Sequence, residues 1–137
     1  MAAENMTISK PLQVVLLPPD YMRLWTAETQ MRLDDYWERY KPLFAARKEY
    51  YIEVSVMAYE EGLQYALARM QADPRINVSQ WVHASAADGS FEFRNVPWGE
   101  YALVASGIFG TRQYIWYQSF EVNNSAPLYI PLKTHVP

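Results

Sequence analysis

The apolar residues of this chain change their spacing twice, and one fold must satisfy both periods. In the run LQVVLL, Leu12, Val14 and Leu16 alternate with Gln13, Val15 and Leu17. That is a short strand buried on both faces, and Pro18-Pro19 ends it. Over residues 26–74 the spacing becomes helical. Beyond residue 75 it returns to alternation, broken by turn signals.

In the middle zone, Thr26 is placed to cap a helix and Glu28 to sit in its first turn. Leu33, Trp37, Tyr40 and Phe44 follow on one helical face. Pro42 is expected to break or kink this helix near Tyr40 or Lys41. The run YYIEVSVM reads two ways. Ile52, Val54 and Val56 alternate like a strand, whereas Ile52, Val56, Tyr59, Leu63, Ala66 and Met70 form a helical stripe. Continuity favours the helix, since only Gly62 interrupts residues 44–73. Thirty helical residues span about 45 Å, so a kink or an overhanging end is expected. Asp73-Pro74 ends the helix.

The last zone predicts strands at residues 77–85, 91–93, 101–107, 112–122 and 128–132. Turns fall at Asp88-Gly89, at residues 95–100 and at residues 123–126. Leu128, Ile130 and Leu132 point inward on the last strand, and Pro131 makes it an edge. Gly107-Ile108-Phe109-Gly110 reads as a bulged hairpin with Phe109 folded over the core, or as a loop that inserts into a partner.

With 137 residues, half of them hydrophobic and 15% aromatic, the chain can bury one substantial core as a single domain. A net charge of -3 lacks the basic footprint of a nucleic-acid binder. The lack of cysteine removes disulfides, thiolate metal sites and a cysteine nucleophile. No apolar run is long enough to insert in a membrane. Residues 1–10 lack the apolar core of a signal peptide, so an exported form is expected to have lost its leader.

The stretch ADGSFEFRNVPWGEYALVA resembles the carboxypeptidase regulatory-like domain, a transthyretin-like (prealbumin-like) Greek-key β-sandwich. Asp88-Gly89, Phe91 and Phe93, Val96-Pro97, Gly99 and Tyr101 carry the resemblance. FEVNNSAPLYIPL is similar to that family's final pair of strands, and KPLQVVLLP to an early one. The family's opening G-x-V strand is not recognisable before Lys10. Nearly fifty residues, 26–74, stand where the family has a short loop. The resemblance implies a mainly β fold of about seven strands with a two-segment helical insertion. It also implies a periplasmic or cell-surface setting in a bacterium.

Candidate sites are few. His83 and His135 are the only histidines, and no cluster has the spacing of a metal site. His83 alternates with Trp81 and reads as structural. The hydrolase of this fold carries a C-terminal Tyr-Arg-Gly-Ser, absent from KTHVP, and the spacing of Tyr and His does not match the iron-binding dioxygenases. Asp34, Asp35 and Glu38 beside Arg32, Arg39 and Lys41 read as a solvated helix face, as do Glu60, Glu61 and Arg69. Asn77-Val78-Ser79 and Asn123-Asn124-Ser125 match the glycosylation pattern that also arises by chance.

The aromatics of the insertion exceed what one seam can bury, because adjacent helical residues diverge by about 100°. Tyr36, Tyr50, Tyr51 and Tyr59, with Trp98 and Phe109, are therefore candidate partner-binding residues. Asp88, Gly89, Pro97, Gly99 and Tyr101 define the turns. The expectation is a non-catalytic module, without cofactor, that binds a protein or its own copy through the insertion. A carbohydrate-binding sandwich using exposed Trp and Tyr is the alternative, and a small hydrolase a third.

Overall fold

The computed structural model describes residues 11–131. The elements run β1 (Gln13–Leu17), α1 (Pro19–Ala46), α2 (Lys48–Ala72), α3 (Val78–Trp81), β2 (Val82–Ala84), β3 (Gly99–Phe109) and β4 (Arg112–Val122). The strands form one antiparallel sheet in the order β2-β1-β3-β4. This is not a seven-stranded sandwich, and the β-sandwich expectation is corrected to a four-stranded sheet with a helical layer. Residues 91–93 and 128–131 lie in irregular chain. The physical reason is local. Positive φ at Gly89 and at Asn95, 87° and 56°, bends the chain on either side of residues 91–93, and Pro127 and Pro131 lack ladder donors. Leu132 and His135 lie outside the described residues.

β1 is central, between β2 and β3, which explains why neither of its faces is polar. Pro18 ends it and is also the N-cap of α1, with Pro19 in the first turn, where a missing N–H costs nothing. The helix thus starts seven residues before Thr26. Thr26 sits inside it and donates its hydroxyl to the Met22 carbonyl at 2.9 Å. Pro42 does not break the helix either. The carbonyl it orphans, on Glu38, lies among exposed residues where water can satisfy it. The break comes at Arg47, one extended residue at φ -146, ψ 115, and α2 starts at once. Residues 50–57 are helical.

α1 and α2 form an antiparallel hairpin between β1 and β2. Its base packs on one face of the sheet. Trp25 donates its indole N–H to the Tyr59 carbonyl at 3.1 Å, and both rings meet Tyr117 of β4. Cross-strand pairing puts Val15, Leu17, Ala102, Val104 and Ile115 on that same face. Leu12, Val14, Leu16, Tyr101, Leu103, Ala105 and Trp116 occupy the other face, and all are buried. Two irregular stretches cover it, bringing Phe91, Phe93, Val96 and Ile130 against the core.

The start of the strand expected at residues 77–85 is instead one helical turn, after which β2 runs for three residues. Trp81 stacks on Tyr101 at 5.9 Å. The Asp88-Gly89 turn forms as its residues dictate. Gly89 takes φ 87, and Asp88 Oδ1 accepts the Ser90 backbone N–H at 2.9 Å. The Tyr101 hydroxyl donates to the Pro97 carbonyl at 2.6 Å and fixes the next turn before Gly99. β3 runs through Phe109, so the β3–β4 turn is only Gly110-Thr111, with Gly110 at φ 65.

Candidate functional site

The helical hairpin is longer than the sheet beneath it. The main core takes residues up to Trp25 from α1 and from Val56 onward from α2, while residues 30–54 contribute nothing to it. Beyond Val56, residues 48–55 of α2 and the facing end of α1 form about 12 Å of paired helix that projects as an arm. The arm has its own small cluster. Phe44 is buried there, stacked on Trp37 at 5.7 Å and edge-on to Tyr51 at 5.6 Å, and Trp37 meets Tyr51 at 6.0 Å. Trp37 and Tyr51 remain 46% and 48% exposed. Leu43 and Met57 are exposed as well.

Spacing identified the stripe of Leu33, Trp37, Tyr40 and Phe44, but spacing cannot tell how far a sheet extends under a helix. Trp37, Leu43 and Met57 were therefore missed as surface residues. The only available signal was the length of the helices against that of the strands.

The six candidate partner-binding residues do not come together. Tyr36 is half-buried, and its hydroxyl donates to the Glu61 carboxylate across the hairpin. That hydrogen bond, with burial second, pushes its pKa up to about 12. Tyr50 lies under the Arg47 guanidinium at 4.5 Å, beside the break. Tyr59 is wedged between Trp25 and Tyr117, and burial raises its pKa. Phe109 packs edge-on to Tyr114 and Trp116 and folds over the core. Only Tyr51 and Trp98 are well exposed, and they belong to opposite sides of the sheet.

Trp98 borders a cleft of about 950 Å³ between the second face of the sheet and residues 88–98 and 124–131. Leu16, Leu103, Phe120 and Val122 form its floor. Trp98 and Tyr129, 70% and 86% exposed, stand at it. Asp88, Glu92, Arg94 and Asn124 also line it.

The charged residues of the helices are paired along their own surface. Arg39 meets Asp35 at 2.8 Å, Lys41 meets Glu38 at 3.3 Å and Arg32 meets Glu28 at 2.6 Å. His83 stacks on Phe93 at 4.2 Å and its Nδ1–H donates to the Glu92 carbonyl at 2.9 Å, which holds the covering loop to β2. Among the described residues no group of three His, Cys, Asp or Glu side chains is placed to hold a metal. No helix among them is long and apolar enough to cross a membrane. No protein-family model, curated protein or solved structure matches the chain.

Proposed function

We propose that this protein is a non-catalytic interaction module whose helical arm binds a protein partner. The observation that supports this is the cluster of Trp37, Phe44 and Tyr51, which projects past the sheet with two of its rings half-exposed. Trp and Tyr bring large, stiff, amphipathic surface to an interface and are enriched among the side chains that carry binding energy. Burying the open halves of both rings, with Leu43 beside them, is the gain that a partner would supply.

The test is photo-crosslinking in cells of the source organism. The reactive residue is placed at Leu43 or Tyr51, and at Gln71 as an exposed control near the base. A discrete protein adduct from the arm positions alone is expected, lost when Trp37 is changed to Ser. Equal labelling from all three positions, or none, overturns the reading.

One observation favours a second reading. Trp98 and Tyr129 stand exposed at a cleft with mixed polar and apolar walls, an arrangement suited to stacking against a sugar. Titration with a panel of oligosaccharides, followed by tryptophan fluorescence, is expected to saturate for a cognate glycan and to fail in Trp98→Ala. The cell-envelope setting is proposed on the resemblance of residues 87–105 alone, and cell fractionation decides it.

A further inference from the structure

One edge of the sheet is closed by β2, which has three residues. The other is β4, with eleven, and among the described residues it pairs only with β3. The register fixes which backbone groups face outward. Phe109 and Arg112 flank a two-residue turn and so form a hydrogen-bonded pair. Even-numbered residues of β4 therefore turn their N–H and C=O toward β3. Gln113, Ile115, Tyr117, Ser119 and Glu121 turn theirs away. Among the described residues these five make no backbone hydrogen bond on that side. The Ser119 carbonyl accepts only the neighbouring Gln118 side-chain amide, at 3.0 Å.

Exposed edges are normally guarded by lysine, proline, a bulge or brevity. β4 has none of these. It holds no Lys or Pro, pairs with β3 without a bulge over its whole length, and carries its charges only at Arg112 and Glu121 near its ends.

We propose that β4 pairs antiparallel with β4 of a second copy of this chain, about a two-fold axis at Tyr117, joining two sheets into one. The strand is complementary to itself in this register. Tyr117 faces the partner's Tyr117, Ile115 the partner's Ser119 and Gln113 the partner's Glu121. Every outward N–H and C=O of the five residues then finds a mate. Arg112 lies opposite the partner's Val122, so no like charges meet. In-register parallel pairing would instead set Arg112 beside Arg112 and Glu121 beside Glu121.

The axis falls on an aromatic ring that is only half-covered. Tyr117 is 47% exposed, with its inner side against Trp25 at 5.4 Å and Tyr59 at 6.2 Å. Opposite residues of an antiparallel pair share a face, so both hairpins would lie on the same side of the joined sheet. This pairing does not involve the arm cluster.

Light scattering of the full chain from micromolar to millimolar concentration tests it, with Ser119→Pro and Ser119→Lys alongside. Ser119→Pro removes an outward N–H at a position where an edge strand tolerates proline. Ser119→Lys adds a guard on an exposed side chain, and it decides the matter if Ser119→Pro fails to fold by circular dichroism. The expected result is a dimer whose dissociation constant rises roughly tenfold or more in both variants. The amides of Gln113, Ile115, Tyr117, Ser119 and Glu121 should also gain exchange protection as concentration rises. A monomer at every concentration overturns the proposal. So does a dimer that survives Ser119→Lys, or one that disappears in Tyr51→Ser on the arm.

Discussion

Asp73 ties the two ends of the hairpin together. Its carboxylate accepts the Tyr21 hydroxyl at 2.7 Å, from the first turn of α1, and the Arg75 backbone N–H and guanidinium at 2.9–3.1 Å. The Arg75 side chain first, then Tyr21, hold the Asp73 pKa far below its ordinary value of 3.8. A carboxyl whose pKa is lowered on folding stabilises the fold above its unfolded pKa, and the stabilisation fades as pH falls toward the folded pKa. Asp73→Asn should therefore melt at a lower temperature than the native chain at neutral pH, with the gap narrowing below about pH 4. Thermal melts across that range check it. Tyr36 behaves in the opposite sense. Its pKa rises from 10.0 to about 12, so its bond to Glu61 is intact below pH 10 and is lost as pH climbs through that interval. Tyr36→Phe should cost about 1 kcal/mol at neutral pH in urea denaturation and remove this alkaline loss. Neither tie was legible in the sequence, because Tyr21 and Asp73 stand 52 positions apart and nothing in either residue's neighbours names the other. The same limit put Tyr36 and Tyr59 among the surface candidates when each has a partner across the hairpin.

At the scale of elements, legibility followed how local the cause was. The strand at Leu12 to Leu17, the β3 and β4 alternation and the Asp88-Gly89 turn are written in residues that touch one another, and they form. The helix over residues 50–57 followed from an unbroken stripe. The start of α1 was missed because Thr26 is a good cap, but Pro18-Pro19 is also a helix start, and the chain used the earlier one. The break at Arg47 has no local signal. Phe44 and Tyr51 meeting across it is a tertiary cause. The two helices pack closely at Gly62. A Cβ there would lie well inside van der Waals contact of Thr29 Oγ1 and only 3.2 Å from the Thr29 backbone nitrogen. Gly62→Ala should cost roughly 1–3 kcal/mol by overpacking. Thr29 Oγ1 is buried and has no hydrogen-bond partner among the described residues, so trimming Thr29 to Ala should recover part of that loss. A double-mutant cycle in urea would show the coupling, and strict additivity would argue against this contact.

Over the whole molecule, the sheet is covered on both faces, by helices on one and by irregular chain on the other. Leu17 and Leu103 lie on opposite faces, exposed by 0% and 1%. Changing either to Ala should cost roughly 2–5 kcal/mol. A sheet with one wet face would tolerate Leu103→Ala, and denaturation curves of the two variants separate these cases. The resemblance at residues 87–105 implied a β-sandwich, which the single four-stranded sheet contradicts. It did not foresee that the cover has no strands, because pairing depends on donors and lengths supplied by other parts of the chain. The hairpin has one more consequence. It leaves the sheet from β1 and returns to β2, and these strands are already neighbours. The path out and back is a closed detour, so the order and register of the strands do not depend on how far it goes. Insertions or deletions matched in both helices would move the tip in or out while the platform stayed as it is. The reach of the arm is thus free to change over evolutionary time without refolding the rest.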